Sequence, residues 1–292
     1  MTRLAASVGL VVNTYERTYR SVLAPGFFPA IARSNCREFD EVVALINNVD
    51  DVRDARGRAE DLVARGEITS YAFVADHIDV ALQEARLSPR VLRVRPFLLD
   101  YGLVMPHVVR TEWLLGWDAE TRLVSPADWV DPSIVLMDQD SRIFHASVNW
   151  PPARPQDAGV EGDAVASIGD FALSWGFSDQ LFLLRRSALL GKKFSSFSPA
   201  AIARHAPHPY TFEFRVESYQ RARRKLRATL TTVSYETNLS VAGVLERTGG
   251  TSRLQRYRTE ALHQFEHRIT RRLPPGMSPR IARNAGAQQA RW

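Results

Sequence analysis

Two carboxylates, Asp118 and Glu120, stand one residue apart directly behind the apolar run Trp113-Leu114-Leu115-Gly116-Trp117. A run this short suits a buried strand, and acids at its exit reach the edge of a sheet, where a turn lets both meet one cation. Their hard oxygens suit Mg2+ or Mn2+, with a phosphate-bearing ligand filling some remaining positions, so the ion would neutralise charge on a departing diphosphate. The same triplet also suits a plain turn, because Asp is common where strands end. Arg17, with Arg185 or Arg186 on another side, could grip phosphate through two parallel hydrogen bonds. Trp150 and Trp175 offer faces on which sugar rings or other flat ligands stack, or pack as core, the commoner fate of an isolated Trp.

These groups need a scaffold, and the chain ahead of them reads as repeated strand-loop-helix units. Ser7 to Val12 is a β-rich apolar run that stops at Asn13-Thr14-Tyr15-Glu16-Arg17, followed by a helical stretch over Tyr19 to Arg33. Glu41 to Ile46, the polar Asn47-Asn48-Val49-Asp50-Asp51 and a helix over Asp54 to Arg65 repeat the pattern. Ser70 to Ala75 and Ile78 to Leu87 make a third unit. Successive units of this kind predict an α/β domain with a mostly parallel, Rossmann-type sheet flanked by helices, and ligands of such sheets bind where the strands end. A helical segment from Pro96 to about Arg110 precedes the Trp113 strand, and Ser125-Pro126-Ala127-Asp128 predicts a helix start, Ser125 as N-cap, running to Met137. Ile143 to Val148 alternates as a strand, which makes His145 a structural residue, and the Pro- and Gly-rich Pro151 to Asp163 predicts a loop. Phe171 to Leu190 predicts a strand-to-helix transition at Gly176-Phe177-Ser178-Asp179, with Ser178 as N-cap and Asp179 complementing the helix dipole. Pro209 to Leu226 reads as a helix that feeds the β-rich Ala228 to Tyr235.

Length, 292 residues, and 45% hydrophobic content allow a sizeable core. Cys36 is the single cysteine, which excludes an intrachain disulfide and suits a reducing cytoplasm. Met1 to Leu10 reads as a first strand instead of a cleaved leader, and no apolar run approaches bilayer-spanning length, so any membrane contact is expected to be peripheral, at the inner face. The net charge of +6 is lopsided: Gly249 to Trp292 holds nine Arg against two Glu, a net +7, leaving −1 elsewhere. Residues 1–248 therefore read as the catalytic domain and 249–292 as a basic helical or disordered extension, suited to a membrane surface or a second subunit. The tail lacks the Gly-aromatic interleaving of common RNA modules, which argues against nucleic acid.

Over roughly Ser7 to Leu190 the chain resembles the GT-A fold of glycosyltransferases, family-2-like and nucleotide-sugar dependent, in which an acidic Asp-x-Asp-type motif ends the fourth major strand. Trp117-Asp118-Ala119-Glu120 is similar to that motif, with Glu120 departing from the commoner second aspartate. The resemblance implies donor contacts from Asn13, Thr14, Tyr15, Glu16 and Arg17 behind the first strand, from Asn48, Asp50 and Asp51 behind the second, and from Trp117 and Ala119. It implies Mn2+ or Mg2+ on Asp118 and Glu120, with a later histidine, His208 or His205, as a further ligand. Gly176-Phe177-Ser178-Asp179-Gln180-Leu181-Phe182 resembles the segment where inverting members place an acidic base, which makes Asp179 the catalytic candidate and places Ser178, Trp150 and Trp175 near the acceptor. The implied reaction is inverting hexosyl transfer from a nucleotide-diphosphate donor to a hydroxyl of a glycan, lipid-linked sugar or small metabolite. A nucleotidyltransferase fits less well, since the first strand lacks a Gly-rich basic phosphate loop. A non-catalytic nucleotide-sugar-binding or scaffolding module of the same fold stays open, distinguished by whether any donor is hydrolysed.

Overall fold

A computed structural model describes residues 6–92, 96–150, 164–199, 201 and 211–237. The first three units form as the apolar runs dictate. Strand β1 (Val8–Thr14) is buried along its whole length, as a central parallel strand covered on both faces must be. Two short helices follow, α1 (Tyr19–Val22) and α2 (Phe27–Ser34), in place of the single helix expected over Tyr19 to Arg33. Pro25 and the left-handed Gly26, with φ of 90°, break it between them. Strand β2 (Glu41–Ile46) leads to α3 (Val52–Ala64), whose N-cap Asp51 accepts the Asp54 N–H at 2.9 Å. Strand β3 (Ser70–Phe73) passes directly into α4 (Val74–Ala85), earlier than the sequence pattern suggested.

The segment from Pro96 to His107 holds one five-residue helix, α5 (Asp100–Val104), between 3-10 turns. Strand β4 (Trp113–Asp118) lies beside β1 with Asn13 and Asp118 as register partners. The short strand β5 (Thr121–Leu123) comes next, and α6 (Val130–Gln139) starts at N-cap Trp129, so Ser125 and Pro126 precede the helix instead of opening it. Strand β6 (Ile143–Asn149), β7 (Ala164–Ile168), β8 (Phe171–Ser174) and β9 (Leu181–Arg185) complete the middle of the chain. The expected strand-to-helix transition after Gly176 is a strand-loop-strand passage, so Ser178 caps no helix and Asp179 owes its place to something other than a helix dipole. Helix α7 (Phe212–Ala222) begins at N-cap Thr211 and strand β10 (Leu226–Thr237) follows it.

The strands form one sheet in the order β3-β2-β1-β4-β9-β6-β10-β8-β7, with β5 pairing β10 off the path. The β1 to β4 block is parallel; β9 runs antiparallel between β4 and β6, and β10 runs parallel to β6. Alternation along the strands builds two cores. Val8, Leu10, Val12 and Trp117 face one, with Trp129 and Tyr235; Val11, Leu45, Leu114 and Phe182 face the other, under α4, α5 and α7. On this second face Gly116 lets the Phe182 ring lie against β4, and Gly102 lets the Phe212 ring lie against α5. Glu217 and Arg221 of α7 form an ion pair of 2.6 Å, fully buried beneath the loop before β9. Among the described residues, no helix is long and apolar enough to cross a membrane.

Candidate active site

Strand register decides which side chains meet. Asn13 and Asp118 occupy the same level of adjacent strands, about 4.8 Å apart across the ladder. The odd residues of β1 and β2 and the even residues of β4 share the second face, so Asn13, Asn47 and Asp118 form a polar row at the C-terminal edge, beside α5. Asn47 joins the row because its N–H donates to the Thr14 carbonyl at 2.8 Å. The Asn13 Oδ1 is buried and has no hydrogen-bond partner, an acceptor ready for a ligand donor.

At the exit of β4 the Glu120 N–H donates to Asp118 Oδ1 at 2.9 Å, which closes a local turn between the two acidic residues. The Tyr15 hydroxyl donates to Glu120 Oε2 at 3.0 Å, tying the β1 exit to the β4 exit. Asp118 is also anchored through its own N–H to the Gln180 carbonyl at 2.8 Å, next to Asp179. Among the described residues no group of three His, Cys, Asp or Glu side chains could hold a metal alone. Two carboxylates one residue apart nevertheless fit a hard divalent ion whose remaining positions come from phosphate and water.

The loop from Trp175 to Gln180 crosses the second face and delivers Asp179 to this edge. The Tyr101 hydroxyl of α5 donates to Asp179 Oδ2, and the Asp179 N–H donates to Glu213 Oε1 at 3.2 Å. Burial pushes the Asp179 carboxyl well above the usual carboxylate range; the neighbouring Glu213 and Asp118 charges add to the rise, and the Tyr101 hydrogen bond opposes it. Tyr101 is raised as well, by burial first and then by the Asp179 charge, so its phenol keeps its proton. Helix α7 holds the loop from below: Phe177 N–H donates to Glu217 Oε2 at 3.2 Å, and Arg221 holds the other oxygen of Glu217. From β10, the Tyr235 hydroxyl donates to Gln180 Oε1 at 3.0 Å, and burial drives that phenol to about 12.

A second carboxylate lies beside this cluster. Asp100 is 5% exposed, receives the Asn47 amide and the Tyr101 N–H, and is pushed up to about 6 by burial against the opposing pull of those hydrogen bonds.

Several residues expected at the site fall elsewhere. Trp117 is 1% exposed and spends its indole N–H on the Thr121 carbonyl at 2.9 Å; it is core and cannot face a donor. Ser174 pairs with Arg227 at the start of β10, so Trp175 leaves the sheet toward the edge away from Asp118. Arg185 pairs with Trp113 at that same far edge, stacks on its ring at 4.4 Å and is bound by Glu112 and Asp138, and Arg186 donates to the Pro106 carbonyl. Neither arginine is placed for phosphate at the near edge.

The other expected residues lie near the ends of the parallel strands. Thr14 is buried and shares a hydrogen bond with Thr18 at 3.0 Å, Glu16 accepts the Asp50 N–H at 2.8 Å, and Arg17 is exposed. Asn48 and Asp50 are exposed behind β2, Asp51 serves as the α3 cap, and Ala119 packs against the first core. Trp150, 42% exposed, follows the C-terminal end of β6, and Ser178 lies in the Asp179 loop, its Oγ accepting the Gln180 N–H at 3.5 Å. His145 is buried in β6, as its alternating strand implied. His205, His208, the loop from Pro151 to Asp163 and the basic tail lie outside the described residues.

Sequence reasoning did not single out Asp100, Tyr101 or Glu213. Glu213 carried a local signal, an acid in the first turn after the N-cap Thr211. Tyr101 and Asp100 become visible only once α5 lies over the polar row.

The strand order and the acidic exit of the fourth strand give the chain a GT-A-like fold. No protein-family profile matches the sequence, and no curated protein matches it. Among solved structures, a mannosyltransferase from Pyrobaculum calidifontis in complex with GDP-Man and Mn2+ aligns at 16% identity over 97% of this chain and 70% of its own, with a TM-score of 0.48. Glucosyl-3-phosphoglycerate synthase from Mycobacterium tuberculosis, in complex with Mn2+, UDP and phosphoglyceric acid, aligns at 15% identity over 85% of this chain and 81% of its own, with a TM-score of 0.44. GalNAc-T7 with UDP, GalNAc and Mn2+ aligns at 11% identity over 81% of this chain and 44% of its own, with a TM-score of 0.46.

Proposed function

We propose that the protein is a glycosyltransferase that moves a sugar from a nucleoside-diphosphate donor to an acceptor hydroxyl with inversion. The observation that carries this reading is the convergence of Asp118, Asp179 and Glu213 beside Tyr101, at the edge where Asn13 and Asn47 close the ends of β1 and β2.

Asp118 and Glu120 would hold Mn2+ or Mg2+ on the diphosphate, and the ion when bound supplies the positive charge that lets the diphosphate leave. Tyr15 orients Glu120 through its hydroxyl, and the Glu120 N–H orients Asp118. Asn13 and Asn48 meet the nucleoside at the strand ends. Asp179 takes the proton from the attacking hydroxyl, a role for which a carboxylate held above the usual carboxylate range by burial is suited. Tyr101 holds that carboxylate in place, and Trp150 lines the acceptor side.

The test is release of nucleoside diphosphate from a panel of UDP- and GDP-sugars with Mn2+. Release from at least one donor, abolished by Asp118→Ala, is the expected result. Nucleotide binding with no turnover across the panel would instead support a binding module of the same fold.

A further inference from the structure

The buried Asp100 has no part in the chemistry above, yet its contacts run directly to the end of β2. Its Oδ1 accepts Asn47 Nδ2 at 2.8 Å and the Tyr101 N–H at 2.7 Å, and its Oδ2 accepts Asn48 Nδ2 in a longer contact of 3.5 Å. Asn48 Nδ2 also donates to Asn47 Oδ1 at 2.7 Å. Both hydrogens of the Asn48 amide are therefore used inward. An ionised carboxylate only accepts, so it obliges the NH2 group of each amide to turn toward it. The Asn48 carbonyl is left facing outward from an exposed residue whose backbone is held in the left-handed region, φ 47°.

We propose that Asp100 is a positioning residue of the donor site: through Asn47 it locks the Asn48 amide so that Oδ1 is presented to the nucleoside as a fixed hydrogen-bond acceptor. The inference rests on the donor reading of this edge and deepens it, because a fixed acceptor selects a ligand edge that carries a hydrogen-bond donor. That donor is an N–H of the base or a hydroxyl of the ribose. Asn13 Oδ1, the unpartnered acceptor at the end of β1, presents the same polarity. A neutral amide at position 100 would turn an NH2 toward the Asn48 NH2, and Asn48 would reverse.

The experiment is calorimetric titration of UDP and of GDP, each with Mn2+, into the full chain and its variants, with thermal melting as the check on folding. Asp100→Asn and Asn48→Gly are each expected to weaken the tighter nucleotide about tenfold, with the melting temperature of each variant showing that it is folded. Glycine is chosen because it accepts the left-handed backbone. In the double variant the losses should not multiply, because both act through one amide. Wild-type affinity in Asp100→Asn, or losses that multiply, would overturn the proposal. Should Asp100→Asn fail to fold, the exchange variant Asn47→Asp with Asp100→Asn keeps one carboxylate facing Asn48 and is expected to bind within about threefold of the unsubstituted protein; a tenfold loss there overturns the proposal equally. The 2′-deoxy form of the preferred nucleotide separates the sources, since a penalty that persists assigns the bond to the base and one that vanishes assigns it to the ribose. A protein that binds neither UDP nor GDP fails the donor reading itself, whereas binding that ignores Asp100 and Asn48 fails only this inference.

Discussion

The Tyr101 hydroxyl donates to the Asp179 carboxylate while the Asp179 N–H donates to Glu213, so one residue of a crossing loop is held by its side chain from α5 and by its backbone from α7. The two anchors act on its proton in opposite senses. Tyr101 stabilises the ionised form, and the Glu213 charge destabilises it.

The acidic limb of the pH–rate profile should therefore lie above the usual carboxylate range, because Asp179 must lose its proton to act as base. Tyr101→Phe removes a stabilising donor and should move the limb to higher pH. Glu213→Gln removes a like charge and should move it to lower pH. Asp179→Asn should cost about 10²- to 10⁴-fold in kcat. Profiles of kcat/KM for the three variants check this; shifts of both neighbours in one direction would exclude Asp179 as the titrating base.

Metal affinity should follow the bonds at the β4 exit. Asp118→Ala is expected to abolish saturable Mn2+ binding in the presence of nucleoside diphosphate. Tyr15→Phe, which frees Glu120 Oε2 from its hydroxyl partner, should weaken Mn2+ by about tenfold. Electron paramagnetic resonance titration of free Mn2+ measures both without reference to turnover.

Asp100 should make the fold less stable as pH rises. Its folded value of about 6 exceeds the unfolded 3.8, so the folded state binds more protons between those limits. The contribution is fully present below the unfolded value and is lost as pH climbs through the folded one, by about 3 kcal/mol at most. Urea midpoints at pH 5 and pH 8 should differ in that sense, and Asp100→Asn should flatten the difference. An unchanged slope in the variant would remove Asp100 as its source.

Close approach at Gly116 should tolerate no side chain. A methyl there falls within the Phe182 ring, which is itself packed between Phe177 and Phe212 and cannot retreat. Gly116→Ala is expected to destabilise by about 1–3 kcal/mol in urea unfolding. Gly57→Ala, on an open helix surface, serves as the control.

What could be read from the residues alone follows from how local each signal is. β1, β2 and β4 announce themselves because strands buried on both faces are continuous apolar runs, and the polar residues that end them lie at one sheet edge by topology. Asn13, Asp118 and Glu120 were legible for that reason. Leu181 to Arg185 is also an apolar run, followed by further helix-compatible residues, and its pairing with both β4 and β6 overrides the helical reading. Arg185 looked like a phosphate ligand because its type was visible and its edge of the sheet was not. Tyr101 and Asp179 are 78 positions apart, and Asn47 and Asp100 are 53 apart, so nothing in either local pattern foretells the partner.

Strand β10 is the last to leave the ribosome among those described, yet β8 and β7 join the sheet only through it, and its Tyr235 reaches back to the loop of Asp179. A nascent chain that has emerged only as far as α7 carries β6 with an unpaired outer edge and β8 with nowhere to dock. Vectorial synthesis therefore leaves this half of the sheet waiting, with bare strand edges open to wrong neighbours, until β10 emerges and closes them.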